Sequence, residues 1–225
     1  MLVPTPTFGV EPRSTDTHND SNNPVKIDTM NIFKGSGHIE EKINDRKFRI
    51  SPFSFFQTNS LQLERFINKI ISTASLNPDS TVWDLYCGTG SITLPAARHA
   101  RIAHGFELSQ ASIDDAIANA GLNGINNASF KAIDLHSRDG LAKLASAGTP
   151  DVVILDPPRA GMHKYLVAFL LELQAPEIIY VSCNPATQAR DCAILTDNYI
   201  IESIQPVDMF PQTYHVESIA RLVRR

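Results

Sequence analysis

The sequence predicts an α/β fold, a mostly parallel, doubly wound sheet whose last strand runs antiparallel. Three observations predict it. After Pro78, short apolar runs alternate with helical segments, the pattern of parallel strands joined by crossover helices. The stretch Val82–Thr93, VWDLYCGTGSIT, reads as a buried strand, a glycine-rich turn and the start of a helix, where a ligand can meet bare backbone N–H groups. Finally, two apolar runs near the C-terminus are joined by the short irregular loop MFPQTY, a return that makes a hairpin rather than a crossover.

In chain order, residues 1–28 are polar and rich in Pro, Asn, Asp, Ser and Thr, with few large apolar groups to bury, and read as a loose tail. Residues 29–60 hold a hairpin, GHIEEKINDRKFRISP, turning at Asn-Asp, and the segment SPFSFFQTN. Residues 61–225 form the main domain. It opens on a helix, LQLERFINKIISTA, with apolar Leu61, Leu63, Phe66, Ile67, Ile70 and Ile71. The strands are TVWDLY, RIAHGFE, ASFKAID, PDVVILD and EIIYVSC. The intervening helices are SITLPAARHA, SQASIDDAIANAGLNG, SRDGLAKLASAG, KYLVAFLLELQ and PATQARDCAILTDN. YIIESIQPVD and HVESIARLVR close the sheet.

The totals exclude several classes. With 43% hydrophobic and 20% charged residues over 225 positions, the chain is globular. A net charge of −4 leaves any nucleic-acid partner to a local patch or to another domain. Cys87, Cys183 and Cys192 are odd in number and lack C-x-x-C spacing, so they read as reduced thiols with no metal site or iron–sulfur cluster. No apolar run is long enough to span a bilayer and no signal peptide is visible; a soluble, cytoplasmic protein is expected.

In open α/β sheets, ligands bind beyond the carboxyl ends of the strands. Five strand ends deliver polar or reactive groups to that rim: Tyr86–Gly90, Glu107, Asp134, Asp156-Pro-Pro-Arg159 and Cys183-Asn-Pro185. Asp84, in an Asp-x-x-x-Gly-x-Gly pattern, suits a ligand carrying a positive group, and Thr93 stands where a dinucleotide fingerprint needs a small, glycine-like residue. Both lean towards S-adenosylmethionine over a nicotinamide dinucleotide. Glu107 lies where a carboxylate takes both ribose hydroxyls, or is an ordinary strand-end acid. Asp134 reaches an adenine edge or is an N-cap. In Asp156-Pro-Pro-Arg159 the prolines leave carbonyls facing a ligand. Arg159 occupies the place of the aromatic residue that amino-group methyltransferases use, which argues against exocyclic-amine chemistry. Cys183 is a thiolate nucleophile if it opens onto the cleft and inert core if it does not. Cys87 and Cys192 read as packing residues, and position alone marks Glu217 and His215 as ordinary surface groups.

Together the stretches SPFSFFQTN, DLYCGTGSITLPAA, FELSQASIDDAIANAGLNGI, DPPRAGM, YVSCNPATQARD and QPVDMFPQTYHVES resemble the RNA (uracil-C5) methyltransferases, in family order from about Gly35 onward. The resemblance implies a Rossmann-like S-adenosylmethionine-dependent methyltransferase fold and formation of 5-methyluridine in tRNA or ribosomal RNA. It assigns cofactor contacts to Gln57, Tyr86, Glu107 and Asp156, with Asp134 among them and Gly88 and Gly90 in the turn. It makes Cys183 the nucleophile that adds to C6 of uracil and Glu217 the base that removes the C5 proton. The target base must leave its stack to reach such a pocket, and Phe53, Phe55, Phe56 and Phe210 are candidates to line it.

Relatives in that family carry an RNA-binding OB-like domain and a central subdomain before the catalytic domain, and some hold an iron–sulfur cluster. The polar tail cannot form a barrel, so the chain is expected to be a catalytic domain alone, with residues 29–60 a remnant of the central subdomain and RNA weakly held. The rival readings are a non-catalytic remnant that keeps the fold, and a nicotinamide-dependent oxidoreductase, which Thr93 and DPPR disfavour.

Overall fold

A computed structural model describes residues 35–225. The tail expected over residues 1–28 lies outside the described residues. Two compact units are present. Of the first, Met1–Ile39, the described part is a local turn in which Ser36 Oγ donates to the His38 carbonyl (3.1 Å). The second, Glu40–Arg225, carries the fold.

The Asn44-Asp45 turn links β1 (Ile39–Ile43) to β2 (Arg46–Ile50), a two-stranded sheet whose inward residues Ile43, Phe48 and Ile50 are buried. Asn44 takes φ +54, a left-handed conformation that asparagine tolerates. Helix α1 (Ser60–Thr73) is capped by Asn59, whose side chain accepts from Gln62 N (3.3 Å). It buries Leu63, Phe66, Ile67 and Ile70, whereas Leu61 on the opposite side is 90% exposed.

The main sheet has the order β5-β4-β3-β6-β7-β9-β8. Its parallel strands are β3 (Thr81–Leu85), β4 (Ile102–Glu107), β5 (Ala128–Ala132), β6 (Val152–Leu155) and β7 (Glu177–Ser182). β9 (Glu217–Arg224) inserts antiparallel between β7 and β8 (Tyr199–Val207). The central strands are buried on both faces, which is why they read as continuous apolar runs. The connections are α2 (Thr93–Ala97), α3 (Gln110–Leu122), α4 (Arg138–Ala145), α5 (Lys164–Leu173) and α6 (Pro185–Leu195). From β3 the chain winds outward through β4 and β5, then returns to lay β6 on the other side, so the switch point lies between β4 and β6, at the carboxyl end of β3.

Every strand read from the sequence is present. The helix expected over SITLPAARHA is shorter: α2 covers five residues, preceded by a tight turn over Cys87–Gly90 that Gly90 N closes on the Cys87 carbonyl (2.9 Å). Among the described residues, no helix is long and apolar enough to cross a membrane.

A row of hydrogen bonds ties the hairpin to α3. Along α3, Asp115, Asn119 and Asn123 recur every fourth residue and face the outer edge of β2. Asn123 Oδ1 accepts from Lys47 N (3.0 Å) and its Nδ2 donates to Lys47 O (2.7 Å). Asn119 repeats this with Arg49 N (2.7 Å) and Arg49 O (3.0 Å), and Asp115 Oδ2 accepts from Ser51 N (2.7 Å). A rise of about 6 Å over four helical residues matches the advance of two residues along a strand, so side chains replace a missing neighbouring strand.

Candidate active site

The switch point opens into a cavity of about 550 Å³, the size of a pocket for a nucleoside-like ligand. Its wall includes Gln57, Tyr86, Gly88, Glu107, Asp134, Asp156, Cys183 and Glu217, eight of the nine residues to which the family resemblance gives a role. The ninth, Gly90, is not in that wall. Its φ of +84 makes the turn, and a Cβ there would come within 3.2 Å of the Phe130 ring, so it serves close packing behind the cavity.

Asp84 likewise does not line the cavity. It is fully buried, accepts a hydrogen bond from Thr93 Oγ1 (2.5 Å), and burial pushes its carboxyl up to about 7. Thr93 is thereby explained as the partner of this buried acid. Tyr86, directly after β3, has φ +67, an uncommon conformation, and its ring lines the cavity, where its hydroxyl meets His136 Nε2 at 3.2 Å. Burial is the main cause that holds the Tyr86 phenol well above its ordinary value.

Glu107 is fixed by three backbone donors: Gly88 N (3.3 Å) on one oxygen, Leu108 N (2.8 Å) and Ser109 N (3.0 Å) on the other. A carboxylate offers about four acceptor positions, so capacity remains for a ligand hydroxyl. Asp134 does not cap α4; Ser137 does, accepting from Gly140 N (3.0 Å), while Asp134 Oδ1 accepts from His136 N (2.9 Å). The Gln57 side chain has no hydrogen-bond partner among the described residues. Of the four phenylalanines, Phe53 and Phe55 line the cavity, whereas Phe56 and Phe210 pack against the core. His136, Leu108, Ser109 and Ser112 also line it, and nothing in the sequence marked them.

Cys183 and Glu217 meet because β9 is antiparallel. Ser182 of β7 faces Ser218 of β9 in register, so the next pair outward is Cys183 and Glu217, on the opposite face of the sheet from the two serines. The antiparallel turn thus brings the start of one strand to the finish of another. Glu217 is 6% exposed, and burial raises its carboxyl above the ordinary value. The Cys183 thiol is also raised, first by burial and then by the charges of Glu217 and Asp156, with Arg159 opposing. Asp156 is pushed up to about 7 by burial and by Glu217. Cys87 and Cys192 are buried, and desolvation raises both.

The loops after β6 and β7 are braced together by α6. Asn184 caps α6 and its Nδ2 donates to the Arg159 carbonyl (3.3 Å), which Thr187 Oγ1 also reaches (3.3 Å). Asp191, 1% exposed, accepts from Met162 N (2.8 Å) and Tyr180 Oη (2.7 Å), and Arg190 joins it to the Ala160 carbonyl (3.0 Å). Arg159 Nη1 donates to His215 Nδ1 (3.3 Å), which leaves the imidazole proton on Nε2. Among the described residues, no group of three or more His, Cys, Asp or Glu could hold a metal ion.

Several proteins are similar to this chain in sequence or in structure. An uncharacterised RNA methyltransferase of Chlorobaculum tepidum is 45% identical over 191 residues, 84% of this chain and 40% of that protein. One from Bacteroides thetaiotaomicron is 41% identical over 92% of this chain and 46% of its own length. The chain therefore spans less than half the length of these relatives. The crystal structure of Pyrococcus abyssi tRNA (uracil-54, C5)-methyltransferase, in complex with S-adenosyl-L-homocysteine, aligns with a TM-score of 0.76 and 36% identity over 91% of this chain and 49% of that one. A precorrin-6y C5,15-methyltransferase of Geobacter metallireducens, 14% identical with a TM-score of 0.61 over 79% of this chain and 95% of its own, shares the fold alone. The fold is thus the Rossmann-like one of S-adenosylmethionine-dependent methyltransferases. The family model for tRNA (uracil-5-)-methyltransferases matches residues 30–225, and the chain belongs to that family.

Proposed function

We propose that this protein methylates C5 of uridine in RNA, tRNA or ribosomal RNA, with S-adenosylmethionine as donor and a covalent Cys183–C6 adduct on the path. The observation that carries the reading is the pairing of a thiol and a carboxylate, Cys183 and Glu217, on one wall of a nucleoside-sized cavity. Glu107, Asp134 and Asp156 along the rim, the unpartnered Gln57 amide and the backbone at Gly88 fit the hydroxyls, base and amino-acid end of S-adenosylmethionine. When bound there, that donor supplies the electrophilic methyl group.

The chain's own residues supply the rest. C5 of uracil is a weak nucleophile until C6 is saturated. Cys183 gives its proton to water and its sulfur forms a bond to C6, which moves the ring electrons onto C5 and O4 as an enolate. After C5 carries the new methyl group, Glu217 removes the remaining C5 hydrogen as a proton. The freed electron pair re-forms the C5–C6 double bond and expels the Cys183 thiolate. Two residues are required because one adds at C6 while the other works at C5. The raised carboxyl of Glu217 suits a group that must accept a proton near neutral pH.

The test uses RNA containing 5-fluorouracil, whose C5 fluorine cannot leave as a proton would. With S-adenosylmethionine present, a covalent protein–RNA complex is expected that survives denaturing electrophoresis and disappears in Cys183→Ala. S-adenosylmethionine should also raise the Tm while NAD does not. A cofactor-induced rise without any adduct would point instead to a non-catalytic remnant of the fold.

A further inference from the structure

Beyond the cavity, a line of rings leads away across the surface over α4 and α5. It starts at Tyr86, whose ring lies 6.0 Å from that of His136 on the cavity wall. His136 stacks on His163, centroids 5.7 Å apart and planes 24° from parallel. His163 meets the Tyr165 ring edge-on at 4.7 Å. Arg138 and Lys164 stand over that same tyrosine, at 5.1 and 5.5 Å from its centroid. Both cations are exposed, and neither has a carboxylate partner among the described residues. On a chain of net charge −4, two unpaired cations beside three stepped rings are a local departure.

Rings flanked by cations that no carboxylate neutralises suit single-stranded nucleic acid: bases stack on the rings while phosphates meet the charges. A duplex cannot offer its base faces in this way, because they are buried in its own stack. The position narrows the occupant further, since a nucleotide turned into the cavity leaves its neighbours at the mouth, where His136 stands. We infer that the surface formed by His136, His163 and Tyr165, with Arg138 and Lys164, holds the unpaired RNA nucleotides next to the target uridine. This rests on the reading of the cavity as an RNA uracil methyltransferase site and adds to it a grip within the described fold.

Two variants test the surface without touching the cavity. His163 caps α5, its Nδ1 accepting from Tyr165 N (3.3 Å), and serine is as good a cap, so His163→Ser removes the ring and keeps the helix start. Its affinity for a uridine-containing single-stranded RNA should fall on the order of tenfold. Arg138→Gln combined with Lys164→Gln should lower the slope of log K against log salt by about 1.4, the loss of two phosphate contacts to a single strand. The Tm rise produced by S-adenosylmethionine should be unchanged in both, which certifies the fold.

Wild-type affinity and slope in both variants would overturn the inference even where the Cys183 adduct forms. Weakened RNA binding by the variants, with no adduct in the wild-type protein, would uphold the surface and sink the catalytic reading. A wild-type chain that binds no RNA overturns both. Photocrosslinking of 4-thiouridine RNA to the unaltered protein needs no variant: marks on His163 or Tyr165 support the surface, and marks confined elsewhere, or capture of a protein instead, refute it.

Discussion

Asn119 grips Arg49 by both of its backbone polar groups, donating to the carbonyl at 3.0 Å and accepting from the amide at 2.7 Å, across 70 residues of sequence. The same Nδ2 also reaches the Thr89 carbonyl in the turn after β3 (3.1 Å). One buried amide therefore holds together the hairpin, the helix that follows Glu107 and the turn that carries Gly88. Asn119→Leu takes a partner from three backbone groups, Arg49 N, Arg49 O and the buried Thr89 O. A loss of about 3 kcal/mol is expected in chemical denaturation. Affinity for S-adenosylmethionine should fall as well, because the Phe53–Gln57 wall continues directly from β2.

Glu217→Gln separates the two halves of the proposed reaction. The amide cannot accept the C5 proton, whereas addition of Cys183 to C6 does not need it. Turnover is expected to drop on the order of 10³-fold. An RNA–protein complex should accumulate with ordinary uridine RNA and donor, visible as a shifted band on a denaturing gel. Cys183→Ala should give no band and no turnover.

Thiol chemistry should single out Cys183. Cys87 and Cys192 are buried and desolvated, while Cys183 is half-buried at the cavity. Iodoacetamide is expected to label Cys183 alone in the folded protein, located by peptide mass spectrometry. The Asp156 charge is one of the causes that hold the Cys183 thiol up, so Asp156→Asn should increase the labelling rate several-fold at pH 8. Bound S-adenosylmethionine should slow it.

The buried acid Asp84 makes a prediction about stability and pH. Burial raises its carboxyl from 3.8 to about 7, above its value in the unfolded chain. The folded form then holds its proton more tightly, so its stabilising contribution is complete below pH about 4 and is lost as pH rises towards about 7. At roughly 1.4 kcal/mol per pKa unit, the loss amounts to about 4 kcal/mol. Asp156 contributes a second limb in the same window. Asp84→Asn keeps an acceptor for Thr93 and should flatten about half of the fall in Tm between pH 4 and pH 7.

What the sequence made legible follows from range. Strands such as VVIL and EIIYVS are buried on both faces and announce themselves as apolar runs, and the motif spacing puts polar groups at their ends. The antiparallel return is readable from the short MFPQTY loop, whereas position alone marks Glu217 as a surface acid and only the family resemblance pairs it with Cys183. Asp84 was misjudged because a carboxylate beside a glycine turn looks like a ligand contact until the fold seals it against Thr93. Gly90 shares its motif with Gly88, yet only the fold shows that Phe130 sits behind it. The Asn119 clamp and the rings of His136 and His163 had no local signal at all. Each joins residues 27 or more positions apart, and a polar or aromatic side chain in a helix or loop looks the same whether or not a distant partner meets it.

The bracing of the DPPR and SCNP loops through Asn184, Arg190 and Asp191 divides the labour around the cavity unequally. That wall behaves as an anvil: Arg159 and Cys183 cannot be displaced separately, because the same helix fastens both. The facing wall is slung between two anchors, Ser54 on Asp115 (2.7 Å) and Asn59 on the Met209 carbonyl (2.6 Å), with Phe55–Thr58 spanning the gap. Under the proposed function, accommodation of differently shaped guests therefore falls on that four-residue span, and variants that alter which base is admitted are expected there, with variants that alter the chemistry expected on the anvil.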